Sequence, residues 1–260
     1  MIKNFLSRLY KPVSKIEAEL NRILEFPRFQ VATTNIFGKS FTFHDSLSFY
    51  VTYKEIFENE IYRFAPAGNK KTIIDCGANM GLSVAYFSSN YPSHTIYAFE
   101  PDPDLFLILE GNIKSLSLKN VVLYNKAVWD KADYLNFYTD GGMGGRLNVS
   151  YNQKFAVSIE AVPLKNYLTN DVDFLKIDIE GAEDVVLKSC AAQLRDVERI
   201  FFEYHNKINA PQTLHELLVL VKDAGFNYYV KESSTRKRPF VDTDLICETF
   251  DMAINIFCYK

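Results

Sequence analysis

The chain has 260 residues, of which 48% are hydrophobic and 15% aromatic, and its formal net charge is −3. This composition supplies a large folded core and excludes an intrinsically disordered chain. The nearly balanced charge excludes a global attraction to nucleic acid or to an anionic membrane, and no stretch approaches the ~20 apolar residues of a transmembrane segment. We therefore expect a cytoplasmic globular protein, whose four cysteines include no CxxC pair and stay reduced.

Residues 1–40 are predicted to form a helical arm, ahead of a domain that spans residues 41–260. Apolar residues recur at roughly helical spacing over residues 3–26, which indicates a helix packed on the domain or on a second subunit. A homodimer is therefore one prediction. A second interpretation, a weak peripheral contact with a membrane, rests on the basic residues Lys3, Arg8, Lys11 and Lys15.

From about residue 70, short apolar strands alternate with helices. The stretches "KTIIDC", "HTIYAFE" and "VDFLKID" are typical of buried strands, and "DPDLFLILEGNIKSLSL" of a helix that Asp102 caps and Pro103 begins. This alternation predicts an α/β fold with a mostly parallel sheet and helices on both faces. Further strands are expected at "NVVLYNKAV" and "ERIFFEYH", and further helices at "GLSVAYFSSNY", "GAEDVVLKSCAAQL" and "APQTLHELLVLVKDAG".

Two parts of the chain depart from this alternation. The stretches "FNYYVKE" and "MAINIFCYK" have no helical pattern between them, which predicts a hairpin that adds an antiparallel C-terminal strand to the sheet. The stretches "DYLNFYTD" and "FAVSIEAV" are predicted strands on either side of a glycine-rich loop, "GGMGGRLNVSYNQK". A flexible loop of this kind is expected to cover a site.

The turn after the strand "KTIIDC" is the first candidate binding site. In an open α/β sheet, ligands bind beyond the carboxyl ends of the strands, and this turn runs from Asp75 to Gly81 as "DCGANMG". Its G-x-x-x-G spacing lacks one glycine of the dinucleotide fingerprint G-x-G-x-x-G, and Asp75 is a poor neighbour for a pyrophosphate. Both features favour S-adenosylmethionine, which carries an ammonium and a sulfonium group and no phosphate.

Glu100 ends the next strand, 23 residues after Gly77 (100 − 77). An acid about 20 residues after the glycine turn is placed to accept hydrogen bonds from both hydroxyls of a ribose. Glu100 therefore fits the adenosine part of S-adenosylmethionine, or that of a nicotinamide dinucleotide.

Several motifs, in order along residues 50–205, resemble those of the FkbM-type S-adenosylmethionine-dependent methyltransferases. "IIDCGANMGLSVAYF" resembles the family's D-x-G-A-N-x-G turn, and "VDFLKIDIEGAEDVVLKS" its K-I-D-x-E-G-x-E signature. The resemblance implies a Rossmann-like class I methyltransferase sheet with a reversed final strand. It also implies methyl transfer to oxygen, often to a sugar or natural-product hydroxyl. Shorter matches are "AFEPDP", "NKAVWD", "FFEYH" and the segment "YKEIF" at Tyr53–Phe57, which in the family closes over the cofactor.

These motifs assign two sets of site residues. For the acceptor side we expect His205, Asp178 and Glu203, which stand at the ends of neighbouring strands. For binding of S-adenosylmethionine we expect Asp75, Gly77, Asn79, Gly81, Ser83, Glu100, Pro101, Ala127 and Tyr53.

Two roles are open for the acceptor-side residues. A carbohydrate hydroxyl is a poor nucleophile at neutral pH and gains from a general base or a metal ion. His205 is the favoured base, oriented by Asp178 and Glu203. Alternatively, Asp178 and Glu203 hold a divalent cation, and oxygen ligands suit magnesium. Lys176 is expected to lie on the opposite face from Asp178 and to pair with an acid.

Glu180 and Glu183 begin a predicted helix. Their carboxylates either interact favourably with the helix dipole there or contact a substrate.

The sequence leaves other functions open. One alternative is a nicotinamide-dependent oxidoreductase, which the missing glycine and the absence of a Tyr-x-x-x-Lys pair argue against. Another is a methyltransferase fold that only binds a partner. Nucleic acid is not the expected acceptor, because the sequence has no Asn-Pro-Pro-Tyr motif and no broad basic region. We expect a small-molecule or glycan acceptor that meets the segments 40–60 and 139–155.

Overall fold

An N-terminal helix and a short hairpin precede the central sheet. The computed structural model describes residues 14–138, 146–147, 156–207, 210–233, 238, 240–241 and 250–260. The first elements of the described chain are helix α1 (Lys15–Leu24), the antiparallel strands β1 (Ala32–Thr34) and β2 (Phe41–Phe43), and helix α2 (Ser46–Tyr53). Helix α2 continues into a π-helical turn at Lys54–Glu58.

The described part of the predicted arm packs against the rest of the chain. Leu20 and Ile23 of α1 are fully buried in one apolar cluster with Phe41 and Phe43. The predicted division at residue 40 falls between the paired strands β1 and β2. Residues 1–13 lie outside the described residues, so the membrane contact through Lys3, Arg8 and Lys11, like the homodimer, stays a prediction.

The largest sheet of the described structure has seven strands. Its spatial order is β12-β13-β11-β10-β3-β4-β5. Strand β13 runs antiparallel to both of its neighbours, and the other pairs are parallel. The strands are β3 (Thr72–Cys76), β4 (Thr95–Phe99), β5 (Val121–Tyr124), β10 (Val172–Ile177), β11 (Arg199–Lys207), β12 (Asn227–Glu232) and β13 (Phe250–Tyr259).

Helices cover both faces of this sheet. Successive residues of a strand face opposite sides, so Ile74 of β3 packs with one group of helices and Ile73 with the other. Helices α5 (Glu183–Ser189) and α6 (Leu214–Asp223) cover the first face. Helices α1, α2, α3 (Leu82–Asn90) and α4 (Pro103–Leu116) cover the second. The predicted class I methyltransferase sheet, with a reversed C-terminal strand, is confirmed.

The sequence predicts one strand over "NVVLYNKAV", and this is wrong because the structure has two strands there. Strand β5 ends at Tyr124, and β6 (Ala127–Trp129) belongs to a second sheet. The side-chain amide of Asn125 donates to the carbonyl oxygens of Glu100 and Pro101, at 2.9 and 3.1 Å. These bonds hold Asn125 beside the end of β4, at the point where the chain passes from the central sheet to the second sheet.

The second sheet contains the strands predicted around the glycine-rich loop. Strand β7 (Asp133–Tyr138) pairs antiparallel with β9 (Ala156–Pro163) and with β8 (Arg146–Leu147), and β6 pairs parallel with β9. Residues 139–145 and 148–155 lie outside the described residues, so the expected contact of this loop with an acceptor stays a prediction.

None of the helices within the described ranges combines the length and the apolar composition needed to cross a bilayer.

Candidate active site

A cavity of about 520 Å³ opens where several strands of the central sheet end. Gly77, Glu100 and Asp178 line it just after β3, β4 and β10, and Glu203 and His205 line it from β11. The carboxyl ends of parallel strands are the common ligand site of such sheets. Helix α2 and the turn after it also line the cavity, through Val51, Thr52, Glu55 and Ile56.

The turn after β3 is packed too tightly for any side chain at Gly77. Gly77 has φ +84°, and a Cβ atom there would lie 1.8 Å from the carbonyl oxygen of Asp178. The N–H groups of Gly77 and Ala78 both donate to the carbonyl oxygen of Phe99, at 3.0 and 2.9 Å. Glycine at this position thus lets the ends of β3, β4 and β10 meet.

The Glu100 carboxylate is fixed beside this turn. Its Oε2 accepts the N–H of Asn79 at 2.8 Å, and its Oε1 accepts the N–H of Asp102 at 2.9 Å. The residue is 4% exposed, and burial raises the pKa of the carboxyl to about 7, although the two N–H groups act to lower it. Each oxygen keeps a second lone pair for a ribose hydroxyl, which fits the predicted role.

Asp75 does not reach the cavity. It is fully buried, its Oδ1 lies 3.1 Å from the Lys176 ammonium, and its Oδ2 accepts the Ser83 hydroxyl at 2.6 Å. Lys176 lies directly opposite Asp75 on the neighbouring strand. This carboxylate ties β3 to β10 and to α3, and its predicted role in cofactor binding stays a prediction.

The prediction that Lys176 faces away from Asp178 is wrong. Residues two apart on a strand share a face, and Lys176 Nζ lies 3.5 Å from Asp178 Oδ2. Burial by itself lowers the pKa of the Lys176 ammonium, but Asp75 and Asp178 outweigh it and raise that pKa. The predicted pairing with an acid is confirmed.

Two further predicted cofactor residues, Gly81 and Tyr53, are not among the described residues that line the cavity. Gly81 has φ +95°, and a Cβ atom there would lie 2.7 Å from Leu109 Cδ1, so it allows α3 to approach α4. Tyr53 is buried and stacks between Phe49 and Phe57, with ring centroids 5.9 and 4.8 Å away. The predicted residues that do line the cavity are Gly77, Asn79, Ser83, Glu100, Pro101 and Ala127.

The three acceptor-side residues lie together. One ligand atom from each of Asp178, Glu203 and His205 falls within 4.8 Å of the other two. His205 Nε2 lies 3.9 Å from Glu203 Oε2. The juxtaposition follows from the sheet, because β10 and β11 are adjacent and parallel.

Glu183 is the functional candidate whose role the sequence left undecided. Its Oε1 lies 3.1 Å from His205 Nδ1 and also accepts the N–H of Ile179 at 3.1 Å. Both Glu183 oxygens accept the N–H of Gly181, at 3.0 and 3.1 Å. Glu183 therefore fixes the imidazole ring and turns Nε2 toward Glu180 Oε2, at 3.8 Å, and toward Glu203. The signal available in the sequence was the E-G-x-E spacing itself.

The acidic surroundings change how His205 can act. Burial lowers the pKa of the imidazole, but Glu183, Glu180 and Glu203 outweigh it and raise that pKa well above its ordinary value. Burial, with Asp178 adding to it, raises the pKa of Glu203 to about 8. A general base must be unprotonated before it accepts a proton. The raised pKa works against His205 as a general base, and both of its predicted roles stay predictions.

Comparison with known proteins decides the family. Residues 75–228 match the Methyltransferase FkbM domain, which is more than half of the chain. The chain belongs to the FkbM methyltransferase family. The resemblance predicted from the motifs is thereby confirmed, and with it S-adenosylmethionine as the cofactor of the family. Membership argues against the nicotinamide-dependent alternative.

Two fungal relatives carry the same type of name. The chain is 29% identical over 161 residues to "Methyltransferase 1" of Beauveria bassiana (strain ARSEF 2860), a match covering 52% of this chain and 65% of that protein. It is 30% identical over 188 residues to "Methyltransferase sdnD" of Sordaria araneosa, covering 55% of this chain and 73% of that protein. The chain thus spans slightly less than two thirds of the first relative.

Among solved structures, M. jannaschii TYW2 in complex with AdoMet aligns with 90% of this chain and 87% of its own, at 13% identity and a TM-score of 0.47.

The residues around the cavity fit S-adenosylmethionine. The glycine turn at Gly77 lines the cavity with backbone alone, and Glu100 beside it offers two acceptor oxygens to a ribose. Asp178, rather than Asp75, brings a carboxylate to the cavity beside this turn, where it can face a sulfonium or ammonium group.

Proposed function

We propose that this chain is an S-adenosylmethionine-dependent O-methyltransferase that methylates a hydroxyl of a sugar, glycan, glycolipid or related natural product. The observation that supports this most is that one cavity contains two sets of groups. Glu100 and the glycine turn suit the cofactor. Asp178, Glu203 and His205 suit a hydroxyl that must lose a proton.

The reaction is an in-line displacement at the methyl carbon. The acceptor oxygen forms a bond to the methyl group as the carbon–sulfur bond breaks. The sulfur keeps the electron pair and leaves as the neutral thioether of S-adenosylhomocysteine, while the hydroxyl proton passes to a base or to solvent. Orientation of the two reactants supplies effective molarities of about 10⁵–10⁸ M in well-oriented systems, so positioning can account for much of the rate.

The proposed roles divide along the cavity. Glu100 accepts hydrogen bonds from the ribose, and Gly77 and Asn79 form the backbone beneath the cofactor. Asp178, Glu203 and His205 are the catalytic residues next to the acceptor hydroxyl. Because these acceptor-side groups are polar and partly buried, they suit a polar hydroxyl-bearing substrate.

The first test is binding, followed by an acceptor screen. Calorimetric titration with S-adenosylmethionine, S-adenosylhomocysteine and NAD should give binding of the two adenosyl ligands alone. Incubation with methyl-¹³C-labelled cofactor and a panel of sugars, glycolipids and polyols should then give a product whose ¹³C shift is that of an O-methyl group. His205→Gln should lower turnover strongly, and His215→Gln, an exposed histidine on α6, should not.

Two results would contradict the proposal. A product methylated on nitrogen or carbon would replace the reaction type. Tight binding of S-adenosylhomocysteine without transfer to any hydroxyl would favour the non-catalytic binding module.

A further inference from the structure

We propose that Asp178, Glu203 and His205 bind one divalent cation beside the cofactor, and that Glu183 is the positioning residue that orients His205 for it. The catalytic role of this cation rests on the proposed methyl transfer, whereas its binding does not.

The spacing of the three donor atoms suits a metal ion. A point equidistant from three atoms that are all 4.8 Å apart lies about 2.8 Å from each, and here 4.8 Å is the upper limit of the separations. Metal–ligand bonds to histidine nitrogen and carboxylate oxygen are about 2.0–2.2 Å long. An inward shift of about 0.7 Å for each donor atom therefore brings all three atoms to bonding distance from one ion. Small rotations of the three side chains can supply a shift of this size.

His205 is oriented as a metal ligand. Glu183 is 1% exposed and its Oε1 lies 3.1 Å from Nδ1, so Nδ1 carries the hydrogen, and Nε2 lies 3.9 Å from Glu203 Oε2. A carboxylate behind a histidine is the usual arrangement in metalloproteins, because it fixes the tautomer and the ring orientation. The backbone N–H groups of Ile179 and Gly181 in turn fix Glu183.

A fourth oxygen points independently to a ligand at this place. Asn255 lies opposite Glu203 in the β11–β13 pairing and lines the same cavity. It is 3% exposed, and its Oδ1 is buried without a hydrogen-bond partner among the described residues. A buried unpaired carbonyl oxygen is costly, and a cation, or a water bound to one, would satisfy it.

Charge and donor type indicate which cation. Asp178, Glu180 and Glu203 present three carboxylates around one imidazole. The nearby ammonium of Lys176 already lies closer to Asp75 than to Asp178. Two carboxylates and an imidazole suit Mn²⁺ or a later transition ion better than Mg²⁺, which prefers an all-oxygen octahedron. Such an ion would stabilise the negative charge that develops on the acceptor oxygen as its proton leaves to solvent.

The test is binding of Mn²⁺ to the full chain in the presence of S-adenosylhomocysteine. Free Mn²⁺ measured by electron paramagnetic resonance should show one bound ion per chain. Asp178→Asn and His205→Gln should each weaken binding at least 100-fold. Glu183→Gln should weaken it about 10–100-fold, as expected for a carboxylate behind a ligand. The matched control His215→Gln should bind as the wild type does.

Pulsed spectroscopy on the wild-type protein keeps the test decisive if a variant fails to fold. Electron spin echo modulation of bound Mn²⁺ should show one coordinated imidazole nitrogen. Absence of that nitrogen would overturn the site, and so would binding that is unchanged in both folded variants or absent at millimolar Mn²⁺.

Activity measurements distinguish failure of the cation site from failure of the proposed methyl transfer. One bound Mn²⁺ without transfer to any hydroxyl would retain the site and overturn the function. Transfer at an undiminished rate in excess chelator would retain the function and overturn the role of the cation.

Discussion

Glu100 makes cofactor affinity depend on pH in a way that the structure quantifies. Ribose hydroxyls donate hydrogen bonds, so they bind the ionised carboxylate, and the pKa of Glu100 is about 7. At pH 5.5 roughly 3% of this carboxyl is ionised, so the dissociation constant for S-adenosylhomocysteine should be roughly 30-fold higher than at pH 8. The affinity should rise with pH and level off above pH 7.

The same group should affect folding with the opposite sign. Its pKa in the folded protein, about 7, lies above the ordinary value of 4.5, so the folded chain binds this proton more tightly than the unfolded chain. The contribution of Glu100 to stability is therefore most favourable below pH 4.5 and is lost as pH rises through 7. The loss amounts to about 3 kcal/mol, because each unit of pKa difference is about 1.4 kcal/mol.

The assay is calorimetric titration of S-adenosylhomocysteine between pH 5.5 and 8. Glu100→Gln should remove the pH dependence. At pH 8 it should also weaken binding by roughly 10–100-fold, since a hydrogen bond to a charged group contributes about 1.5–3 kcal/mol. Glu55→Gln changes another acid that lines the cavity and should keep the wild-type profile. A flat profile in the wild type, or an unchanged slope in Glu100→Gln, would refute this assignment of the ribose site.

Three further predictions concern the fold and the reaction. In urea titrations, Gly77→Ala should lower the free energy of unfolding by more than about 3 kcal/mol, or prevent folding. Gly111 lies at an exposed helix position with open space around it, so Gly111→Ala should raise the free energy of unfolding by about 0.5–1 kcal/mol. Asp173→Ala should lower the free energy of unfolding by about 3–5 kcal/mol in thermal unfolding, because it removes the buried carboxylate that lies 2.5 Å from the Arg199 guanidinium. A decrease below about 1 kcal/mol would contradict this. Single-turnover methyl transfer should accelerate between pH 7 and 9 as Glu203, with a pKa of about 8, loses its proton, and a rate that falls over this range would exclude an ionised Glu203 as the active form.

Two residues that the sequence assigns to the cofactor, Gly77 and Glu100, line the cavity. Gly77 and Glu100 were predicted from spacing, since a strand, a tight turn and a helix constrain where their backbone and side chain lie. The strand split at Asn125 was missed because a short apolar run does not show which of two sheets it joins. Asn125 itself decides this, through hydrogen bonds to residues about 25 positions earlier in the chain.

The sequence by itself determined the α/β sheet, its reversed last strand and the set of acids near the strand ends, because these follow from local periodicity and turn chemistry. Tertiary structure alone decided which acids line the cavity. Asp75 is neutralised by Lys176, about 100 residues away in the chain, and Glu183 comes to lie behind His205. Such pairings depend on the register of neighbouring strands and on the packing of a helix against them, and no local pattern of residues encodes either.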